Sequence, residues 1–160
     1  MNALMGHKKL VKVSSTPGKT CEINFFKVNS KFFLVDLPGV GFAKVSNSKR
    51  DEMSDFIREY VEKCKDLRGI IYLVDIRHGG TPIDIETVEN IRATGCPVLV
   101  VASKRDKVNQ SELAKNTKLI QQRFGLEEKP LSVSTLKTFG LDHLWQEILN
   151  AINGSELVEK

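Results

Sequence analysis

Three short runs in this sequence carry polar atoms that can read a purine base and hold a phosphate-bound metal ion. Each stands where an apolar segment ends. Ser103-Lys104-Arg105-Asp106 directly follows Val98 to Ala102. A carboxylate at Asp106 can accept from the N1–H and the 2-amino group of guanine together. Adenine offers neither donor, so one bidentate acceptor separates the two purines. The Lys104 stem can lie along the base plane. Ser134-Thr135-Leu136-Lys137 follows Leu131-Ser132-Val133, and a backbone N–H there can donate to the guanine 6-oxo group. Asp36-Leu37-Pro38-Gly39 ends another apolar segment and turns the chain sharply. Its carboxylate can hold Mg²⁺ through water, and the Gly39 N–H can approach a terminal phosphate. Each run is weak alone, because Asp, Pro, Gly and Ser populate turns freely. Their shared placement at strand ends, in this order, is what makes them informative together.

A phosphate-cradling G-x-x-x-x-G-K-[ST] loop does not occur in these 160 residues. Gly18-Lys19-Thr20 invites that reading but fails it, because the earlier glycine would fall on Val13. Pro17 also lacks the N–H that such a loop must point at phosphate. The better reading is a switch loop whose threonine hydroxyl joins Mg²⁺ when a γ-phosphate is present. Thr20 is the expected ligand and Thr16 the runner-up. The nucleotide-contacting set is therefore Gly18, Lys19, Thr20, Cys21, Glu22, Asp36, Leu37, Pro38, Gly39, Ser103, Lys104, Arg105, Asp106, Val133, Ser134 and Thr135.

The elements that must position these residues are legible in the apolar pattern. Ile23–Val28 and Lys31–Val35 are extended segments parted by Asn29-Ser30, a tight hairpin signal. Met53, Phe56, Ile57, Tyr60, Val61 and Cys64 form the stripe of an amphipathic helix. Ile70–Val74 and Val98–Ala102 are continuous apolar runs, as expected of parallel strands covered on both faces. A helix around Ile83 to Ala93 lies between them, opened by Thr81-Pro82 and closed by Gly95. Another is expected from Ser111, as N-cap, to Phe124. Leu131-Ser132-Val133 is a short last strand. Leu141, Leu144, Trp145, Ile148, Leu149 and Ile152 share one face of a final helix. Alternating strands and helices predict a mostly parallel, doubly wound α/β sheet in a single domain over 1–160. The sheet reads as short of one strand at its start.

Composition sets the bounds. The chain is 41% hydrophobic and 28% charged, with a net charge of +4 that permits an RNA-rich partner without demanding one. No apolar run approaches the ~20 residues that span a membrane. Cys21, Cys64 and Cys96 are scattered and odd in number, which fits a reducing compartment better than a disulfide or zinc framework. His7, His78 and His143 form no metal or triad spacing; His78 is expected in an exposed loop and His143 on a helix surface.

At Ser14-Ser15-Thr16-Pro17-Gly18-Lys19-Thr20, at Asp36 to Val45 (DLPGVGFAKV) and at Leu73 to Gly79 (LVDIRHG), the chain closely resembles the EngB/YihA/YsxC family of bacterial ribosome-assembly GTPases. The last two stretches are far more specific than the generic motifs. The resemblance covers nearly all of the chain. It implies a Ras-like P-loop GTPase fold, GTP/GDP and Mg²⁺ binding, slow hydrolysis, a cytoplasmic place, and action on the large ribosomal subunit precursor, its rRNA and proteins, and so on normal growth and division. No membrane or DNA partner is expected. It also implies that Val40 stands where many GTPases carry a water-positioning Gln, and that Ser103 replaces a longer Asn or Thr. In relatives, a stretch like Asn2-Ala3-Leu4 follows the phosphate-loop Lys-Ser on the helix that loop opens. The sequence thus reads as an N-terminally truncated G domain, expected to bind GTP weakly or not at all. No catalytic residue is identified.

Overall fold

Val98–Ser103 is the most deeply covered strand, with five consecutive buried residues from Val98 to Ala102. Its alternation divides the core in two. Val98, Val100 and Ala102 join one cluster with Ile57, Val61, Val88, Ile91, Ile120 and Phe124. Leu99 and Val101 join the other with Val133, Leu141, Leu144 and Ile148. A strand buried on both faces needs helices on both, and the chain supplies them.

The computed structural model describes residues 1–6, 23–37, 39 and 47–154. In chain order the elements are β1 (Asn24–Val28), β2 (Phe32–Asp36), α1 (Asn47–Lys63), β3 (Ile70–Asp75), α2 (Pro82–Arg92), β4 (Val98–Ser103), α3 (Gln110–Arg123), β5 (Leu131–Ser132) and α4 (Leu141–Ile152). One turn of 3-10 helix, Arg105–Lys107, follows β4. Among the described residues no helix is long and apolar enough to cross a membrane.

Two sheets result. β3, β4 and β5 are parallel in that order, with Asp75 paired to Ser103 and Ala102 to Ser132. β1 and β2 form an antiparallel hairpin with Val28 opposite Phe32. Three residues, not two, lie between those partners. Asn29 and Ser30 both take positive φ, 45° and 57°, and the Lys31 N–H closes the turn on the Val28 carbonyl at 2.9 Å. Among the described residues no backbone ladder joins the sheets. Side chains do, since Phe32 and Leu34 pack into the cluster that holds Leu99 and Ile71.

β3 departs from the expected two-sided cover. Leu73 is 57% exposed, and Val74 alone of the strand is fully buried. Among the described residues β3 has a ladder on one side only. On one face Ile71 packs against the cluster with α4, Ala3 and Leu4, while Leu73, two residues on along that face, joins neither cluster; α1, α2 and α3 cover the other face. Trp145 holds the N-terminal turn there, its Nε1 donating to the Leu4 carbonyl at 2.9 Å.

Both interior helices open on capping boxes. Thr81 caps α2, with Pro82 at the first helical position and Asp84 returning the bond. α3 begins two residues earlier than expected, for Asn109 is its N-cap and Ser111 lies inside. Asn109 Oδ1 accepts from the Glu112 N–H at 2.9 Å, and the Glu112 carboxylate accepts from the Asn109 N–H at 2.9 Å. Ser111 has no Glu or Gln at the third position beyond it, so the reciprocal pair decides the start.

Candidate functional site

Because β3, β4 and β5 run parallel, Asp75, Ser103 and the residues after Ser132 emerge at one edge of the sheet. Ligands in open α/β sheets sit outside this carboxyl edge. After β4 the chain turns through Lys104 in a left-handed conformation, φ 61°. That turn carries Asp106 toward the loop after β5. The Arg105 N–H donates to the Val133 carbonyl at 3.0 Å, and the Val133 N–H donates to the Ala102 carbonyl at 2.8 Å, so the two loops are tied by backbone.

Asp106 then meets Ser134. The Ser134 hydroxyl, itself buried, donates to Asp106 Oδ1 at 2.6 Å and accepts from the Lys137 N–H at 3.1 Å. The Asp106 side chain is only 7% exposed. Its carboxyl is held below the usual range, first by the Ser134 hydroxyl and then by its own backbone N–H, Lys107 and Lys137, against the opposing effect of burial. It is therefore ionised at neutral pH, as a two-donor edge requires. Behind it, Ser134 and Phe139 exchange both backbone hydrogen bonds at 3.0 Å, which closes the loop into a small ring. Thr135 is left exposed at its tip, and among the described residues its N–H has no partner. By chemistry, the two carboxylate oxygens of Asp106 and an N–H in the loop after β5 could together match guanine's N1–H, 2-amino and 6-oxo edge.

Ser103 fills a structural role. Its hydroxyl donates to the Val74 carbonyl at 3.0 Å, pinning the end of β4 to β3. Lys104 is likewise occupied, with Nζ donating to Asp75 Oδ2 at 2.8 Å. Asp75 is the residue that sequence reasoning missed. Its two oxygens also accept from Arg77, Oδ2 from Nη2 at 2.6 Å and Oδ1 from Nε at 3.0 Å and the backbone N–H at 3.1 Å. The signal was available, because a carboxylate ends β3 in register with Ser103. Phe139 was missed as well. The Arg105 guanidinium lies 3.6 Å from the centre of its ring, a contact that ties the loop after β4 to the loop after β5.

The Asp75-to-Gly80 loop is locked from below. Ile76 is fully buried, and Arg123 Nη1 donates to the carbonyls of Gly80 at 2.6 Å, Gly79 at 3.1 Å and His78 at 3.4 Å. His78 and His143 are exposed, as expected.

The Arg77 side chain, then the Lys104 ammonium and the Arg77 backbone N–H, hold the Asp75 carboxyl well below its usual range despite burial. A depressed carboxylate adds stability that is complete above the unfolded value of about 4 and lost as pH falls below it. Thermal melts should therefore show Asp75→Asn less stable than the wild type from pH 7 to about 5. The gap should close progressively as the pH drops from about 4 toward 2. A gap that stayed constant to pH 2 would refute this assignment.

On the phosphate side the described residues are fewer. Asp36 is half-buried at the end of β2, and its carboxylate has no hydrogen-bond or ion-pair partner among the described residues. Leu37 packs into the core beside Ile70 and Tyr72, and Gly39 is exposed. Gly18, Lys19, Thr20, Cys21, Glu22 and Pro38 lie outside the described residues, and with them the expected metal ligand Thr20 and its runner-up Thr16. Among the described residues no group of three or more His, Cys, Asp or Glu is placed to hold a metal ion.

A parallel α/β sheet with the Asp106 carboxylate after one strand and the exposed Thr135 loop after the next has the architecture of the Ras-like GTPase fold. Residues 1–104 match the family described as 50S ribosome-binding GTPase. The protein named "Probable GTP-binding protein EngB" from Clostridioides difficile strain 630 is 37% identical over 155 residues, spanning 96% of this chain and 76% of that protein. Its namesake from Clostridium botulinum strain Eklund 17B is 44% identical over 146 residues, spanning 90% and 74%. The fold superposes on the crystal structure of a probable GTP-binding protein engB with a TM-score of 0.77 at 20% identity, covering 95% of this chain and 90% of that one. It also superposes on Era, solved with MgGDPNP and nucleotides 1506–1542 of 16S ribosomal RNA, with a TM-score of 0.70 at 24% identity, covering 94% and 50%. The chain belongs to the EngB family of GTP-binding proteins.

Proposed function

We propose that this protein binds GTP and GDP with Mg²⁺ as one G domain in the cytoplasm, and couples GTP hydrolysis to assembly of the large ribosomal subunit. The observation that carries the base specificity is the buried Asp106 carboxylate, oriented by the Ser134 hydroxyl at 2.6 Å beside the unpartnered Thr135 amide. Relatives named as GTP-binding and a family described as ribosome-binding support the choice of nucleotide and partner. Asp36 offers a hard oxygen donor with no competing protein partner among the described residues, which suits a water-held Mg²⁺. That ion would neutralise charge on the terminal phosphates. Gly18 to Glu22, with Thr20 as metal ligand, complete the assignment.

A second reading has its own observation, the lack of a G-x-x-x-x-G-K-[ST] loop within these 160 residues. Such a loop supplies an N–H cradle and a lysine for the phosphates. On this second reading the chain keeps the base site with little hold on phosphate and acts as a GTPase-like binding protein for ribosomal RNA or protein. Titration calorimetry with GTP, GDP and ATP separates the readings. For this polypeptide the expected result is weak GTP binding, detectable only at millimolar concentration, with GTP and GDP preferred over ATP. Micromolar GTP affinity would overturn the second reading, and a preference for ATP would overturn both.

A further inference from the structure

The outer face of the β1–β2 hairpin has chemistry that the guanine site does not use. Strand alternation turns Phe32 and Leu34 into the core, so Phe25, Lys27, Phe33 and Val35 share the opposite face. Phe25 and Phe33 are each 57% exposed, with ring centroids 6.3 Å apart and planes at 84°. Lys27 stands directly opposite Phe33 in the ladder, and Lys31 lies in the adjoining turn; both are exposed. Neither has an acidic partner among the described residues. The hairpin's carboxylate, Asp36, pairs with Asn24 and so points to the other face.

Two open aromatic rings edged by two cations, without a carboxylate, complement a polyanion that also has flat apolar faces. Unpaired nucleic acid is such a partner: its bases can stack on the rings while its phosphates meet the lysines. A duplex keeps its base faces hidden. We propose that this face binds unpaired RNA, stacking bases on Phe25 and Phe33 and contacting phosphate with Lys27 and Lys31. The choice of RNA over DNA rests on the proposed ribosomal function.

The test is fluorescence anisotropy of a labelled single-stranded 12-nucleotide RNA with the full chain and no guanine nucleotide. Phe25→Ala and Phe33→Ala should each weaken binding about tenfold while leaving the salt dependence unchanged. The double variant Lys27→Ala/Lys31→Ala should weaken binding and lower the slope of log affinity against log salt by about 0.7 per lost phosphate contact. Phe25→Trp should bind as the wild type, with its added fluorescence quenched by RNA, and this holds even if an alanine variant folds poorly. Leu149→Ala, an exposed apolar change on α4, should have no effect. Phenylalanine variants that bind RNA as the wild type would overturn the proposal, as would equal affinity for heparin, which has no bases. Variants that keep RNA binding but lose capture by large ribosomal subunits would put a protein on this face, and would overturn it too. Guanine binding is measured separately, so either assignment can fail without the other.

Discussion

Asp106→Ala abolishes the distinction between guanine and adenine. In saturation-transfer NMR the wild-type chain should show GDP signal well above ADP signal at equal millimolar concentration, and the variant should show the two alike. Guanine affinity should fall to the adenine level, because two guanine donors then face no charged acceptor. Asp106→Asn sharpens the test. It keeps an oxygen for the Ser134 hydroxyl, which now donates to Asp106 at 2.6 Å, but presents one donor and one acceptor to a base edge that offers two donors. A folded Asn variant that retained full guanine preference would show that the carboxylate is not the reader. Melting curves for both variants separate loss of recognition from loss of fold.

Gly140→Ala carries the largest expected effect on stability. Gly140 has φ +72°, and a Cβ there would stand 2.5 Å from the Ser132 carbonyl oxygen, a backbone atom in β5. It sits immediately before α4, at the end of the loop that carries Ser134 and Thr135. Left-handed strain and the clash together should cost about 3 kcal/mol or more. For a chain of this size that lowers Tm by roughly 6–12 °C. Gly95→Ala is the matched control. Its φ is +80°, but a Cβ there would meet nothing within 4 Å, so strain alone acts. That variant should lose only about 2–4 °C. Equal losses at the two positions would mean that the approach of Ser132 does not constrain the loop.

The sheet and helix order was legible because apolar period and turn chemistry agree along most of the chain. Val98–Ala102 shows how far a continuous run can be trusted: read as covered on both faces, it is. Ile70–Val74 looks the same in sequence, yet Leu73 lies open. Composition alone does not distinguish a central strand from one with a single ladder partner. Similarly, Ser111 and Asn109 are both good cap residues. What chose Asn109 was the Glu three positions on, a pairing visible in the sequence once both ends are weighed.

At the site, Asp106, Ser134 and Thr135 came from strand-end placement, and the structure brings the first two into direct contact. The role of Ser103 could not be read that way. Ser103 stands where the resemblance implies a longer Asn or Thr, whereas its hydroxyl is spent on the Val74 carbonyl across the sheet. Asp75 and Phe139 act on Lys104 and Arg105 from 29 and 34 residues away in sequence, so only register between parallel strands or loop closure reveals them. The expected nucleotide contacts at Gly18 to Glu22 and at Pro38 lie outside the described residues.

The division into two sheets has a kinetic meaning. Val101 and Ala102 of β4 have ladder partners on both sides and helices on both faces, so amides at this centre should exchange with solvent only when the whole core opens. The β1–β2 hairpin is held to that core by side chains, and among the described residues by no backbone ladder. It can part from its neighbours without breaking a hydrogen bond of the parallel sheet. Hydrogen exchange is therefore expected to show the hairpin that bears the aromatic face opening on a faster clock than the centre of the parallel sheet.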